Sequence, residues 1–66
     1  MEASEQRRLD LLYEYWDYNG IMPTIRELCD IWNLRSTNAV FKQLVKFLDG
    51  GHIEKTPGGR IKPNRQ

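Results

Sequence analysis

The chain has 66 residues, 39% hydrophobic and 29% charged, with a formal net charge of +1. A domain of this size buries about 60% of the surface that its unfolded chain exposes, which leaves room for one small core but not for a deep substrate pocket as well. No apolar run approaches the roughly 18 residues of a membrane span. The charged N-terminus has no small-residue cleavage site, and a single cysteine excludes an internal disulfide, so we expect a cytoplasmic domain.

The two halves of the chain carry opposite charge. Residues 1–34 have three basic and seven acidic side chains, a net of −4, whereas residues 35–66 have seven basic and two acidic ones, a net of +5. Such an asymmetry favours a polyanionic partner for the basic half. The alternatives are two halves that attract each other, or chance.

The first helix is predicted from Ser4 to Tyr18, with Ser4 as its N-cap. Asp10, Glu14 and Asp17 lie together on one side. Its apolar residues fall at helical spacing on the other side, at Leu9, Leu12, Tyr13 and Trp16. The stretch from Asn19 to Pro23 ends this helix, because Gly and Pro interrupt helical patterns.

The second helix is predicted from Thr24 to Trp32. Thr24 and Glu27 have the spacing of a capping box, in which each side chain accepts an amide hydrogen from the other end of the first turn. Asn33 follows where helices often end in a left-handed conformation, which Asn tolerates. Residues 33–35 then form a short turn. The apolar stripe of this helix is Leu28, Ile31 and Trp32.

The third helix is predicted to begin after Ser36, its N-cap, and to run to about Leu48, before Gly50 and Gly51. Its buried stripe repeats at i, i+4 and i+7, at Val40, Leu44 and Phe47. On a helical wheel the apolar arc extends further, through Leu48 and Phe41 to Val45. The polar side carries Asn38, Lys42, Lys46 and the small Ala39.

A β-hairpin is predicted after the third helix. Ile53 and Ile61 are the apolar points of two short strands, and Pro57-Gly58-Gly59 is the turn between them. The predicted fold is therefore mostly α with a small β-hairpin, a three-helix winged helix-turn-helix over residues 1–62. Residues 63–66 are predicted to be an unpaired tail.

The front of the third helix combines short, hydrogen-bonding and basic side chains. A recognition helix enters the DNA major groove with its N-terminal residues against base edges. Asn38 can pair bidentately with adenine, and Ala39 allows the backbone to come close. Ser36, Thr37 and the free amides of the first turn suit phosphate oxygens. The alternative is an ordinary amphipathic helix with a solvated polar face.

The segment from residue 20 to residue 60 resembles a known family through a combination of residues. These are Gly20, Pro23, Thr24, Glu27 and Leu28 around the second helix, then Arg35, Ser36, Asn38, Ala39, Val40, Leu44 and Phe47 around the third, and Gly51, Ile53 and Glu54 before the wing. Together they resemble the DNA-binding domain of LexA repressors. Residues before Gly20 match only as an amphipathic helix.

This resemblance implies a repressor that binds double-stranded operator DNA as a homodimer on two half-sites. Such a protein, of bacterial or phage origin, would be cytoplasmic and associated with the nucleoid. It implies recognition-helix contacts from Ser36, Asn38, Ala39, Phe41 and Lys42. It also implies that the wing contacts a backbone or minor groove near Pro57 to Arg60. We assign contacts with phosphates or the wing's groove to Arg35, Thr37, Lys46 and Arg60. No cofactor, membrane or small-molecule substrate is expected.

Three features depart from the family pattern. Asn33 stands where the family usually has Gly, and Phe41 stands where it usually has a polar or charged residue. Phe41 could touch a thymine methyl, or extend with Val45 and Leu48 into a partner surface. The family's self-cleaving domain, with its Ser–Lys dyad and dimer interface, has no counterpart in the 66 residues, so two readings stay open: a fragment, or a stand-alone protein.

Other functions have less support from the sequence. One histidine, His52, and one cysteine, Cys29, do not provide the spacing of a zinc site, and Cys29 lies on a predicted buried face, so we expect neither a metal nor an enzyme. Five aromatic residues could stack on bases, but aromatic residues at helical spacing are expected in the core or at its rim: Tyr13, Tyr15, Trp16, Tyr18 and Trp32. The main alternative is a winged helix that binds proteins only, with Phe41, Val45 and Leu48 as its contact surface.

Overall fold

Three helices and an antiparallel hairpin form the structure, a computed structural model that describes residues 2–64. The helices are α1 (Ala3–Asn19), α2 (Ile25–Ile31) and α3 (Thr37–Asp49), and the strands are β1 (Ile53–Lys55) and β2 (Ile61–Pro63). This order confirms the predicted fold class, a mostly helical winged helix-turn-helix. Within these residues, no helix has the length and apolar character to cross a membrane.

Every helix and the first strand contribute to one apolar core. The rings of Trp32 and Phe47 meet edge to face with centroids 5.9 Å apart, a favourable arrangement for two aromatic rings. Cys29 is half-buried and packs against this core. The buried apolar side chains are Leu9, Leu12, Leu28, Trp32, Val40, Leu44, Phe47 and Ile53.

The first turn of α1 differs from the prediction. The helix begins at Ala3, Glu2 occupies the N-cap position, and no side chain caps it. Ser4 lies inside the first turn and is exposed, so its predicted role as N-cap is wrong. The first N–H groups of an exposed helix end can be satisfied by water, so α1 does not need the Ser4 hydroxyl to begin.

The capping box of α2 is present and is extended by a contact from α1. The Thr24 side chain accepts the amide hydrogen of Glu27, and Glu27 Oε1 accepts that of Thr24, both at 3.1 Å. The second oxygen of Glu27 accepts the hydroxyl hydrogen of Tyr15 at 2.6 Å. One carboxylate therefore caps α2 and ties its first turn to α1.

The turn between α2 and α3 is fixed by backbone hydrogen bonds. Asn33 adopts the left-handed conformation with φ 55°, as predicted. Its N–H donates to the carbonyl of Asp30 at 3.3 Å, and the N–H of Leu34 donates to that of Cys29 at 2.8 Å. This is the Schellman arrangement, with Asn in the position that Gly usually takes. The turn thus sets where α3 starts relative to α2.

The hairpin pairs Ile53 with Pro63 and Lys55 with Ile61. Pairing continues beyond β2, because Asn64 donates its backbone N–H to the carbonyl of His52 at 2.9 Å. We expected residues 63 and 64 in the unpaired tail. Instead Pro63 pairs with Ile53 of β1, and Asn64 bonds to the residue before that strand. The rest of that predicted tail, residues 65 and 66, lies outside the described residues.

Removal of the Thr24 hydroxyl tests the capping box. Thr24→Ala should lower the free energy of unfolding by about 1 kcal/mol, because the first turn of α2 loses the acceptor for the Glu27 amide. Urea unfolding followed by tryptophan fluorescence measures this. Thr24→Ser keeps the hydroxyl and is the matched control. Equal losses in both variants would contradict a capping role.

The contact between Tyr15 and Glu27 should make stability depend on pH. The hydrogen bond from Tyr15, with further bonds from Thr24, lowers the pKa of Glu27 below its ordinary 4.5. The ionised carboxylate therefore stabilises the fold above that value, and the contribution is lost as pH falls through the lower folded pKa. The same hydrogen bond raises the pKa of Tyr15 above its ordinary 10.0. The stability that the protonated hydroxyl contributes is therefore lost at alkaline pH, as pH rises through the higher folded pKa.

Tyr15→Phe removes the largest cause of both shifts. In this variant the free energy of unfolding should fall less between about pH 7 and about pH 3 than in the wild type. Urea unfolding at the two pH values gives the comparison. Tyr18→Phe is the control, since Tyr18 is 91% exposed on the same helix. An unchanged acid dependence in Tyr15→Phe would show that this contact does not set it.

Candidate nucleic-acid interface

One face of α3 presents side chains to solvent along three turns. Asn38, Lys42 and Lys46 are exposed on this face, and so are Phe41 and Val45, at 52% and 53%. Residues three or four apart are neighbours on a helix surface, so these five side chains form a continuous surface. We call these five residues the α3 face.

Ser36 is the N-cap of α3. Its Oγ accepts the amide hydrogen of Ala39 at 3.2 Å, which confirms the predicted cap. The hydroxyl keeps its own hydrogen to donate, and the N–H groups of Thr37 and Asn38 lie outside the intrahelical hydrogen bonds. Hydrogen-bond donors are therefore concentrated here, which suits an anionic group.

The residues at and beside this cap differ in their exposure to solvent. Arg35, Ser36, Thr37 and Asn38 are exposed, whereas Ala39 is half-buried. Four of the five predicted contacts at the front of α3 are thus directly accessible. The small side chain of Ala39 lies toward the edge of the α3 face.

The structure places Lys46 beside α1. Its Nζ lies 3.3 Å from Glu5 Oε1 at the start of that helix. The Lys46 side chain is 68% exposed, so the ammonium group is paired but still open to solvent. An anion that approached Lys46 would meet the Glu5 carboxylate as a competitor. Residue spacing does not indicate this pair, since the two residues are 41 positions apart.

Arg60 lies on the wing, in the loop between β1 and β2. Thr56 closes this loop: its backbone N–H donates to the Arg60 carbonyl at 2.7 Å, and its Oγ1 accepts the Arg60 amide hydrogen at 3.2 Å. Arg60 and Lys62 line a groove of about 650 Å³ between the wing and the connection from α1 to α2. Arg60 thus belongs to a second basic element, with its backbone fixed and its side chain exposed.

A hydrogen bond that we did not predict joins α1 to the buried side of α3. Arg8 Nη1 donates to Gln43 Oε1 at 2.6 Å, and the Arg8 carbonyl accepts the indole N–H of Trp32 at 2.9 Å. Arg8 therefore contacts both helices of the helix-turn-helix. Gln43 is 5% exposed, and within the described residues its Nε2 has no hydrogen-bond partner. The helical wheel puts Gln43 beside Phe47, which would have indicated its burial.

The apolar arc of α3 is narrower than the wheel suggested. Leu48 is half-buried and packs against the core, whereas Phe41 and Val45 stand in solvent. The predicted line of Phe41, Val45 and Leu48 is therefore not one exposed patch. Tertiary packing decides this, because the core reaches Leu48 and leaves Phe41 and Val45 in solvent. Within residues 2–64, no cluster of His, Cys, Asp or Glu is placed to hold a metal ion.

Comparison with known proteins gives the family. The sequence-family model of the LexA DNA binding domain matches residues 3–60, a range that includes all three helices and the first strand. The chain belongs to the LexA DNA-binding domain family. The match includes α1, where the sequence alone resembled the family only as an amphipathic helix.

Full-length relatives of this LexA-type domain are similar over most of the chain. It is 38% identical over 53 residues to the LexA repressor of Ruminiclostridium cellulolyticum, covering 80% of this chain and 25% of that protein. It is 38% identical over 57 residues to the LexA repressor of Acetivibrio thermocellus, covering 86% and 27%. The LexA repressor of Moorella thermoacetica is 35% identical over 49 residues, covering 74% and 24%. The chain spans about a quarter of the length of these relatives.

A double-mutant cycle tests how α1 holds α3 in this LexA-type domain. Arg8→Met leaves the buried Gln43 carbonyl oxygen without its donor, which should cost about 1–3 kcal/mol of unfolding free energy. Gln43→Leu removes both buried polar atoms of that side chain. The double variant should therefore lose less than the sum of the single variants, as measured by urea unfolding. Additive losses would show that the two side chains do not act as a pair.

Proposed function

We propose that this domain binds double-stranded DNA sequence-specifically and represses transcription. The observation that supports this most is the α3 face, which begins at the Ser36 cap and presents Asn38 and Lys42 side by side. Its membership of the LexA DNA-binding domain family and the likeness to three LexA repressors point the same way. In this proposal α3 lies in the major groove with its first turns against base edges.

The proposed contacts divide into two kinds. Ser36, Asn38, Ala39, Phe41 and Lys42 face base edges, where Asn selects adenine and Lys selects guanine. Arg35, Thr37, Lys46 and the wing residue Arg60 contact phosphates or the groove beside the wing, which positions the domain without selecting a sequence. The charge split of the chain agrees with this division, since the four basic residues named here all lie in the basic half.

Useful affinity requires two copies of the domain. A single module of this size buries only about 600–1,000 Å² against DNA, which gives weak binding. We therefore propose a homodimer on two half-sites, with centres one helical turn apart or a multiple of it. The operator should then be a palindrome whose spacing reports the dimer geometry.

Selection from a random duplex library tests the proposal. The bound pool is sequenced after selection at two salt concentrations, and binding is followed by fluorescence anisotropy. An enriched palindrome with steep salt dependence is the expected result, because phosphate contacts release counterions. Weak binding at both salt concentrations, with no enriched sequence, would overturn the proposal.

Asn38 and Lys46 should affect DNA binding in different ways. Asn38→Ala should cost about 1–3 kcal/mol of binding free energy on the selected site and relax preference at one base pair. Lys46→Ala should weaken all duplexes alike and reduce the slope of log affinity against log salt by about 0.9. Anisotropy titrations on the selected site and a scrambled duplex separate the two effects. A base-specific loss from Lys46→Ala would contradict its proposed role.

Glu5 should limit the contribution of Lys46 to DNA binding. Glu5→Gln removes the carboxylate that lies 3.3 Å from Lys46 Nζ, so affinity for any duplex should rise about two- to fivefold. The effect should vanish in the Lys46→Ala background, which is the control. A gain that persists in that background would mean that Glu5 acts on DNA directly rather than through Lys46.

One observation favours a second candidate function. Phe41 and Val45 are more than half exposed, and a pair of exposed apolar side chains can also mark a protein contact. In that case the domain would be a protein-interaction module, and the duplex selection would return no enriched sequence.

A further inference from the structure

Phe41 and Val45 form an apolar strip on the α3 face. They are one turn apart on α3 and are 52% and 53% exposed, whereas their chain neighbours Val40 and Leu44 are buried. Exposed single apolar residues are common on proteins. Phe41 and Val45, however, are adjacent on the face that is proposed to enter DNA. We therefore ask which group of the DNA two apolar side chains could contact there.

The strip is interleaved with the polar side chains of the same face. At 100° per residue, Val45 points within about 20° of Asn38 and lies about 10 Å further along α3. Phe41 and Lys42 occupy the turn between them, on the two sides of that line. The face therefore has an apolar half and a polar half that run together along the helix axis.

The DNA major groove offers one apolar group to such a strip, the C5-methyl of thymine. Each base pair otherwise presents hydrogen-bond donors and acceptors there, and Phe and Val can satisfy none of them. The rise from Asn38 to Phe41 is about 4.5 Å along the helix, which is between one and two base-pair steps of about 3.4 Å. A methyl group met by Phe41 would thus lie one or two base pairs from the adenine met by Asn38.

We propose that Phe41 and Val45 are specificity-determining residues that read C5-methyl groups in the major groove. The inference rests on the proposed DNA-binding function and adds the chemical group that is recognised. It also predicts a response to methylated DNA, because 5-methylcytosine carries a methyl at the same position of the pyrimidine ring. A protein partner fits this face less well, because covering the strip would also bury Asn38 and Lys42.

Removal of the methyl group from the DNA tests the inference without any change in the protein. In the selected operator, each thymine is replaced in turn by deoxyuridine, which keeps every hydrogen-bonding group and lacks only the methyl. Burial of one methyl is worth about a fourfold change in affinity. We expect a loss of about fourfold in wild-type affinity at one or two positions and no change at the others.

Variants of the protein assign each position to a side chain. Phe41→Ala should bind the thymine and deoxyuridine operators equally at one position, and Val45→Ala should do so at the other. Tyr18→Ala is the matched control, since it removes an aromatic side chain that is 91% exposed on α1, and it should keep the wild-type response. The operator with 5-methylcytosine in place of the sensitive thymine should bind about fourfold more tightly than the operator with cytosine there.

The outcomes separate this inference from the proposed function. Absence of any enriched operator would overturn the proposed function, and the inference with it. Specific binding that is insensitive to every deoxyuridine replacement would overturn the inference alone. A lower association state of Phe41→Ala in sedimentation without DNA, together with an unchanged response to deoxyuridine, would assign the strip to a protein partner and also overturn it.

Discussion

The position of α3 depends on Trp32 at the end of α2. Its ring packs edge to face on Phe47 of α3, and its indole N–H donates to the Arg8 carbonyl of α1. The next residue, Asn33, takes the left-handed conformation that turns the chain toward α3. One buried side chain therefore fixes the relation of all three helices. The hydrogen bonds of Arg8 with Gln43 and of Tyr15 with Glu27 add to these contacts, and together they orient the α3 face.

Electrostatics gives the two sides of the domain different roles. Seven of the nine acidic residues lie in residues 1–34, whereas seven of the ten basic residues lie in residues 35–66. The pair of Glu5 and Lys46 shows that the two sides meet at a boundary beside α3. In the proposed complex, an acidic α1 at that boundary would limit non-specific attraction to DNA and leave more of the binding free energy to the proposed base contacts at the front of α3.

Local features could be predicted from the sequence with good accuracy. The capping box of Thr24 and Glu27, the Ser36 cap and the left-handed Asn33 were all predicted and all are present. Each depends on residues within a few positions, where side-chain chemistry and backbone geometry decide the outcome. The prediction for Ser4 was wrong because a helix end that water can satisfy does not require a cap.

The sequence by itself therefore determined the three helices, the hairpin, the turn between α2 and α3 and the residues at the front of α3. Only the tertiary structure decided which side chains of α3 stay open to solvent, because that depends on how the other elements pack against this helix. It placed Phe41 and Val45 in solvent and Gln43 under Arg8, and it brought Glu5 beside Lys46. These contacts join residues more than thirty positions apart, and spacing along a chain carries no information about such pairs until the helices are packed.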